Sequence, residues 1–258
     1  KMQMALACSP ITSALFANSP ISEGRANGYI SKRVEIWRDV DPDRCGILPF
    51  VFRDDFGYRD YIEWVLDVPM FFVVRDHRYL PAKGMTFRDF LQSGFDGVPA
   101  MPADWNLHLT TVFPEVRLKR YIEVRGADCV PRELICAYPT LWKGLLYDDD
   151  ACAAAWDLVR GWTAGDRNEA LSTAARHGLS GRVGNRAMLD LAKELVEISA
   201  SGLRAIAQLP EITEDEGHFL DPLRVYLERG KSPGEILLDA WQGEWKQSPE
   251  RLIEFARY

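Results

Sequence analysis

Glu123 and Arg125 lie two residues apart in YIEVRGAD, residues 121–128, with Asp128 just beyond. Side chains alternate across a strand, so positions 121, 123 and 125 share one face while Ile122 and Val124 take the other. An acid and a base on one charged face can do charge-handling chemistry. Taken alone, the stretch reads first as a cross-strand ion pair on a solvated sheet, because such pairs are common and weak. A second stretch, NSPISEGRANGYISKRVEIWRDVDPDRCG (18–46), combines Pro and Gly turns with arginines and acids. Long irregular segments of this kind are often functional. Within it Arg33 and Trp37 stand four apart. On a helical turn that spacing puts a guanidinium and a flat apolar surface on one side, suited to clamping a carboxylate beside an apolar stem. An arginine stacked on a surface tryptophan fits the same spacing.

The elements that position these residues change texture near residue 148. Before it, ITSALFAN (11–18), GILPFVF (46–52), MFFVVRD (70–76) and RYIEVRG (120–126) read as strands, punctuated by Pro and Gly. Two helices interrupt them. FGYRDYIEWVLD (56–67) has helical spacing, and TFRDFLQSG (86–94) opens on a Thr86/Asp89 capping box and stops at Gly94. After it come helical patterns: DDDACAAAWDLVRGW, then 185–208 with Met188, Leu191, Leu195 and Ile198 in one apolar stripe. SPGEILLDAW (232–241) and SPERLIEFARY (248–258) each start on Ser-Pro, the first with Glu235 completing a capping box. The layout is α+β, with residues 1–148 as a sheet domain and 149–258 as a helical region packed on it.

Bulk properties narrow the function. At 258 residues and 47% apolar the chain has the composition of an ordinary globular protein. Its net charge of −7 gives no basic footprint for nucleic acid, which favours a small-molecule site. The longest apolar stretches, such as LDVPMFFVV, are too short for a membrane span, and no signal-peptide layout opens the chain, so a cytosolic address is expected. Five cysteines (Cys8, Cys45, Cys129, Cys136, Cys152), without CxxC pairs or clustered histidines, indicate neither a disulfide scaffold nor a zinc site. His77, His177 and His218 read as solvated or capping, and His108 is given no role. The chain begins at Lys1, without an initiator methionine.

The ordered words ALFANSP (14–20), G..NGYIS.R...W (24–37), DVDPDR.G.LPFVF (39–52), Y..WVLDVPM (61–70), GMTFRDFL (84–91), HLTTVFPEVRLKRYIEVRGAD (108–128), GLLYDD (144–149) and GEW.QS (243–248) resemble the glutamate-cysteine ligases of plants and many proteobacteria. The resemblance runs the full length, thins between 150 and 240, and covers the C-terminal part of such an enzyme. The family's N-terminal segment carries a Glu-rich motif for metal and nucleotide. What the resemblance implies is ATP-dependent ligation of L-glutamate, through a γ-glutamyl phosphate, to L-cysteine, giving γ-glutamylcysteine with Mg²⁺ required. It further implies an antiparallel sheet like that of glutamine synthetase, curved as a partial funnel, with a complementary N-terminal segment and a homodimer as candidate partners.

By residue-wise matching, Glu123 corresponds to a metal-binding acid and Arg125 to the group stabilising the transferring phosphoryl. Arg33 and Trp37 correspond to the glutamate-binding pair. Asn18 and Ser19 precede a Pro-ordered turn, where polar groups near phosphate or substrate and a plain turn fit alike. Of Arg117, Lys119 and Arg120, at least two read as a solvated face. Phe71 departs from the family's Tyr in the acceptor pocket, Ala82 stands where plant members have a cysteine, and Cys136 matches a disulfide-forming position. Two further expectations stand beside the ligase: a γ-glutamyl ligase for another small amine, and a noncatalytic half that needs a missing segment.

Overall fold

The computed structural model describes residues 1–212 and 214–257. In chain order the elements are α1 (Met2–Leu15), β1 (Ile21–Ser22), β2 (Arg25–Ala26), α2 (Lys32–Asp39), β3 (Cys45–Gly46), α3 (Tyr58–Asp67), β4 (Phe72–Arg75), β5 (Arg78–Pro81), α4 (Phe87–Ser93) and α5 (Pro102–His108). There follow β6 (Phe113–Pro114), β7 (Val116–Leu118), β8 (Ile122–Val124), α6 (Ala137–Tyr147), α7 (Asp149–Val159), α8 (Ala164–His177), β9 (Arg182–Val183), β10 (Arg186–Ala187), α9 (Met188–Ile206), α10 (Asp221–Arg229), α11 (Pro233–Gln242) and α12 (Pro249–Phe255). The class is α+β as expected, with more helix than the sequence reading gave. The strands described form five separate two-stranded sheets, four antiparallel and one parallel (β3 with β6). Contacts divide the chain into two units, Gln3–Ile36 with Gly126–Tyr258, and Trp37–Arg125. The change of texture at residue 148 falls inside the first of these.

In the first unit α1 corrects the strand expected over 11–18. Ala5, Leu6, Ala7, Cys8, Ile11, Ala14 and Leu15 have no exposed surface, so the helix lies in the core. The β-branched residues of ITSALF belong to an apolar run of helix length that begins at Met2. Pro10 sits inside it and removes the amide that would bond to Leu6 O; the Ser9 hydroxyl donates there instead, at 2.8 Å. Helices α6 and α9 meet through small residues. A Cβ on Gly144 would lie 2.2 Å from Ser199 O, and one on Gly202 would lie 2.1 Å from Gly144 O. The α9 stripe packs as read, with Met188, Leu191 and Leu195 buried and Ile198 at its margin. Glu235 closes the α11 box with Ser232, and Ser248 caps α12. The last residue of the 248–258 reading, Tyr258, lies outside the described residues.

In the second unit Met70, Val73, Ala82, Phe87, Phe90 and Phe95 form a core beneath β4, β5 and α4. The Thr86/Asp89 box and the Gly94 stop (φ +69°) form as read. The strand expected over 46–52 is corrected: only Gly46 pairs, and Pro49–Phe52 form a 3₁₀ turn. Pro49 lacks the amide a strand needs and has the φ a tight helical start prefers. The 18–46 stretch is not an irregular loop either, since β1, β2 and α2 fall within it.

Candidate active site

The hairpin β7–β8 pairs Arg117 directly opposite Glu123. Arg117 donates from Nη2 to Glu123 Oε2 and Oε1 at 2.7 and 3.0 Å, and from Nε to Oε2 at 3.2 Å. Its Nη1 donates to the Thr110 and Val112 carbonyls at 2.8 and 3.1 Å. Arg125, on the same face as Glu123, donates from Nη1 to Oε1 at 2.5 Å. One carboxylate therefore joins two guanidiniums. The side chains of Arg117, Glu123 and Arg125 are 9, 25 and 19% exposed, so this face is not the solvated one the isolated stretch suggests. Burial opposes charge on Glu123, but the bonds from Arg117 and Arg125 prevail and hold its carboxyl below the usual range.

Aromatic rings hold Arg125 from another side. Its guanidinium carbon lies 5.4 Å from the Phe113 ring centre and 5.7 Å from that of Trp37. Trp37 is fixed in turn by a 3.3 Å bond from Nε1 to Phe113 O and an edge contact with the Phe113 ring. The second unit thus gathers three expected residues, Glu123, Arg125 and Trp37. It adds Phe113, which the sequence reading passed over, and Arg117, which that reading grouped with Lys119 and Arg120 and gave no place in the site. The missed signal was register: in a hairpin closing over 119–121, Arg117 must face Glu123. Tyr61 lies behind the hairpin, accepting from Leu118 N at 3.2 Å, and burial raises its phenol to about 12.

Arg33, Asn18 and Ser19 belong to the first unit. Arg33 sits in the first turn of α2, the helix expected from its spacing to Trp37. The Ser19 hydroxyl accepts from Arg33 N at 3.2 Å and donates to Asp128 at 2.6 Å; the Asn18 amide also donates to Asp128, at 2.7 Å. Phe71 lies in the second unit, half-exposed, with the Arg44 guanidinium 3.8 Å from its ring centre. Arg44 is anchored by Asp41 and by the Thr111 and Pro69 carbonyls.

The donors present do not fit a hard dication in this arrangement. Both Glu123 oxygens already accept from guanidiniums, and among the described residues no group of three or more His, Cys, Asp or Glu could hold a metal. His108 is structural: buried, it bonds to Val65 O at 2.9 Å and stacks on Phe87, and burial lowers its pKa. His177 ends α8 before Gly178, as read. All five cysteines are free thiols, Cys136 among them, and Ala82 is buried.

A mixed α+β chain with a charged hairpin face of two arginines and one acid is consistent with an anion-handling enzyme. The sequence profile of glutamate-cysteine ligase family 2 (GCS2) matches residues 1–254, and the chain belongs to that family. It is 42% identical to a chloroplastic glutamate-cysteine ligase of Arabidopsis thaliana and 40% identical to that of Solanum lycopersicum, in both cases over its whole length and 49% of theirs. Against glutamate-cysteine ligase B of Oryza sativa subsp. japonica the identity is 40%, covering 51% of that protein. The chain thus spans about half the length of the curated relatives it matches. The cytosolic address expected above is corrected here, because these relatives are named as chloroplastic. No helix among the described residues is long and apolar enough to cross a membrane.

Proposed function

We propose that this chain supplies part of the active site of an ATP-dependent glutamate-cysteine ligase, in which the glutamate side chain is phosphorylated and the cysteine amine attacks the acyl phosphate. The observation that carries this reading, beside family membership, is the half-buried guanidinium of Arg125, held by Glu123 and braced by Trp37 and Phe113. A guanidinium so pre-oriented suits charge developing on a transferring phosphoryl group. Glu123 and Arg125 act as the catalytic pair, with Arg117 locking Glu123 from behind. Arg33 grips the glutamate α-carboxylate and Trp37 walls the site. Ser19 serves this reading by holding α2, its hydroxyl engaged with Asp128 and Arg33 N, while Asn18 donates its backbone amide to Asp128 and its side-chain amide to the Cys129 carbonyl.

Magnesium would accompany ATP in this chemistry. The five short sheets would be completed toward a glutamine synthetase-like sheet by strands of a preceding segment, which is also where further metal ligands would come from. The test uses the full-length protein: ATP turnover that requires glutamate and an amine acceptor, with γ-glutamylcysteine as product, supports the reading. Turnover indifferent to glutamate contradicts it.

Phe71 favours a second reading, a γ-glutamyl ligase whose acceptor is another small amine. Its ring lies on Arg44 and lacks the family's hydroxyl. Turnover with a panel of amines separates the two, and indifference to cysteine selects the second. The noncatalytic-half reading, suggested by the half-length coverage, is tested by isothermal titration: tight Mg-ATP binding by residues 1–258 alone would exclude it.

A further inference from the structure

Asp128 is a carboxylate only 7% exposed. Its Oδ2 accepts from Asn18 N at 2.7 Å and the Ser19 hydroxyl at 2.6 Å, and its Oδ1 from the Ser31 hydroxyl at 2.8 Å. A hydroxyl has one proton to give, so each serine's lone pairs are turned elsewhere. They face the start of α2: Ser19 Oγ accepts from Arg33 N and Ser31 Oγ from Val34 N, both at 3.2 Å. A parallel bridge between Ser19 and Ser31 sets the two strands of backbone side by side. Capping side chains satisfy amides that the first helical turn leaves without partners, and negative charge near that end is favourable. Here the cap has two serines, and one buried carboxylate sets the rotor of both.

We infer that Asp128 is a positioning residue for glutamate binding, acting through Ser19 and Ser31 to fix the first turn of α2 and so to aim Arg33. The inference rests on the reading of Arg33 as the grip on the substrate α-carboxylate. An asparagine at 128 would offer one acceptor oxygen where the carboxylate offers two. Its amide group would turn a donor toward one serine, compete for the lone pair that caps α2, and release that turn. Burial lifts the Asp128 carboxyl above its usual range, and the hydrogen bonds from Ser19, Asn18 and Ser31 offset part of that rise.

The experiment is steady-state kinetics on the full-length protein carrying Asp128→Asn, Arg33→Ala, both together, or Ser31→Ala. Asp128→Asn is expected to raise KM for glutamate about tenfold, with kcat and KM for ATP within about twofold, and Ser31→Ala to give a smaller rise of the same kind. In the Arg33→Ala background Asp128→Asn should add less than about twofold, because its effect runs through Arg33. Full additivity in that cycle, or an unchanged glutamate KM in both Asp128→Asn and Ser31→Ala, would overturn the inference while leaving the Arg33 assignment intact. An unchanged glutamate KM in Arg33→Ala removes that assignment and the inference with it. Should Asp128→Asn not fold, Ser31→Ala alone and with Arg33→Ala decides by the same criteria.

Discussion

Replacing Arg117 with methionine keeps most of the aliphatic stem but removes every donor of the guanidinium. Three bonds to Glu123 and two to the Thr110 and Val112 carbonyls are lost, at a residue whose side chain is 9% exposed. Breaking a buried pair on one side costs about 3–5 kcal/mol, since the remaining charge stays desolvated. Glu123 is 25% exposed and keeps Arg125, which places Arg117→Met at the lower end, about 3 kcal/mol. Glu123→Gln should cost about 2 kcal/mol by loss of charged hydrogen bonds. The double variant should cost about 3 kcal/mol and not the sum of about 5, because no orphan carboxylate is left; the coupling is about 2 kcal/mol. Urea unfolding followed by circular dichroism and tryptophan emission, at a shared m-value, measures all four corners of the cycle. A cost below about 0.5 kcal/mol for Arg117→Met, typical of exposed pairs, would refute the claim that this hairpin face is desolvated.

Three further outcomes are expected. Gly144→Ala should destabilise by at least about 1–3 kcal/mol in thermal unfolding, as its Cβ would meet Ser199 O at 2.2 Å and force α6 from α9; an unchanged transition contradicts that packing. Asp104 is buried, and hydrogen bonds from Arg75 hold its carboxyl below the usual range, so its contribution is present above about pH 4 and lost as pH falls through the lowered folded value. Asp104→Asn should therefore be less stable than the parent at pH 7, with the gap in urea midpoint closing toward pH 2, and a gap that widens on acidification would reverse the argument. Phe71→Tyr should lower KM for cysteine about tenfold if the restored hydroxyl makes one hydrogen bond to a charged group; no change would assign the pocket to another acceptor.

Much of the local structure was legible because its causes are local. The capping boxes at Thr86 and Ser232, the Gly94 stop and the α9 stripe each depend on residues three or four apart, and all form. The rest was not legible, because the deciding partner lies far along the chain or the deciding run is longer than a strand. Ile11 to Phe16 look like a strand only when Met2 to Ser9 are left out of view. In the candidate site, the types and spacing of Glu123, Arg125 and Trp37 were readable, but the burial of that face was not, since it depends on Thr110, Val112 and Phe113 folding over it. Asp128 was visible as an acid near a strand end. Its partners at 18, 19 and 31 are about a hundred residues away, a separation no spacing rule spans.

The most direct test of the central claim is single-turnover formation of ADP from ATP and glutamate by the full-length protein carrying Arg125→Lys. The lysine keeps the charge but cannot bond to Glu123 and present a planar fork to a phosphoryl group at once. The rate should fall about 10²–10³-fold, the scale of losing one pre-oriented transition-state donor, with glutamate affinity nearly unchanged. A rate within about threefold of the parent would mean that Arg125 does not attend phosphoryl transfer.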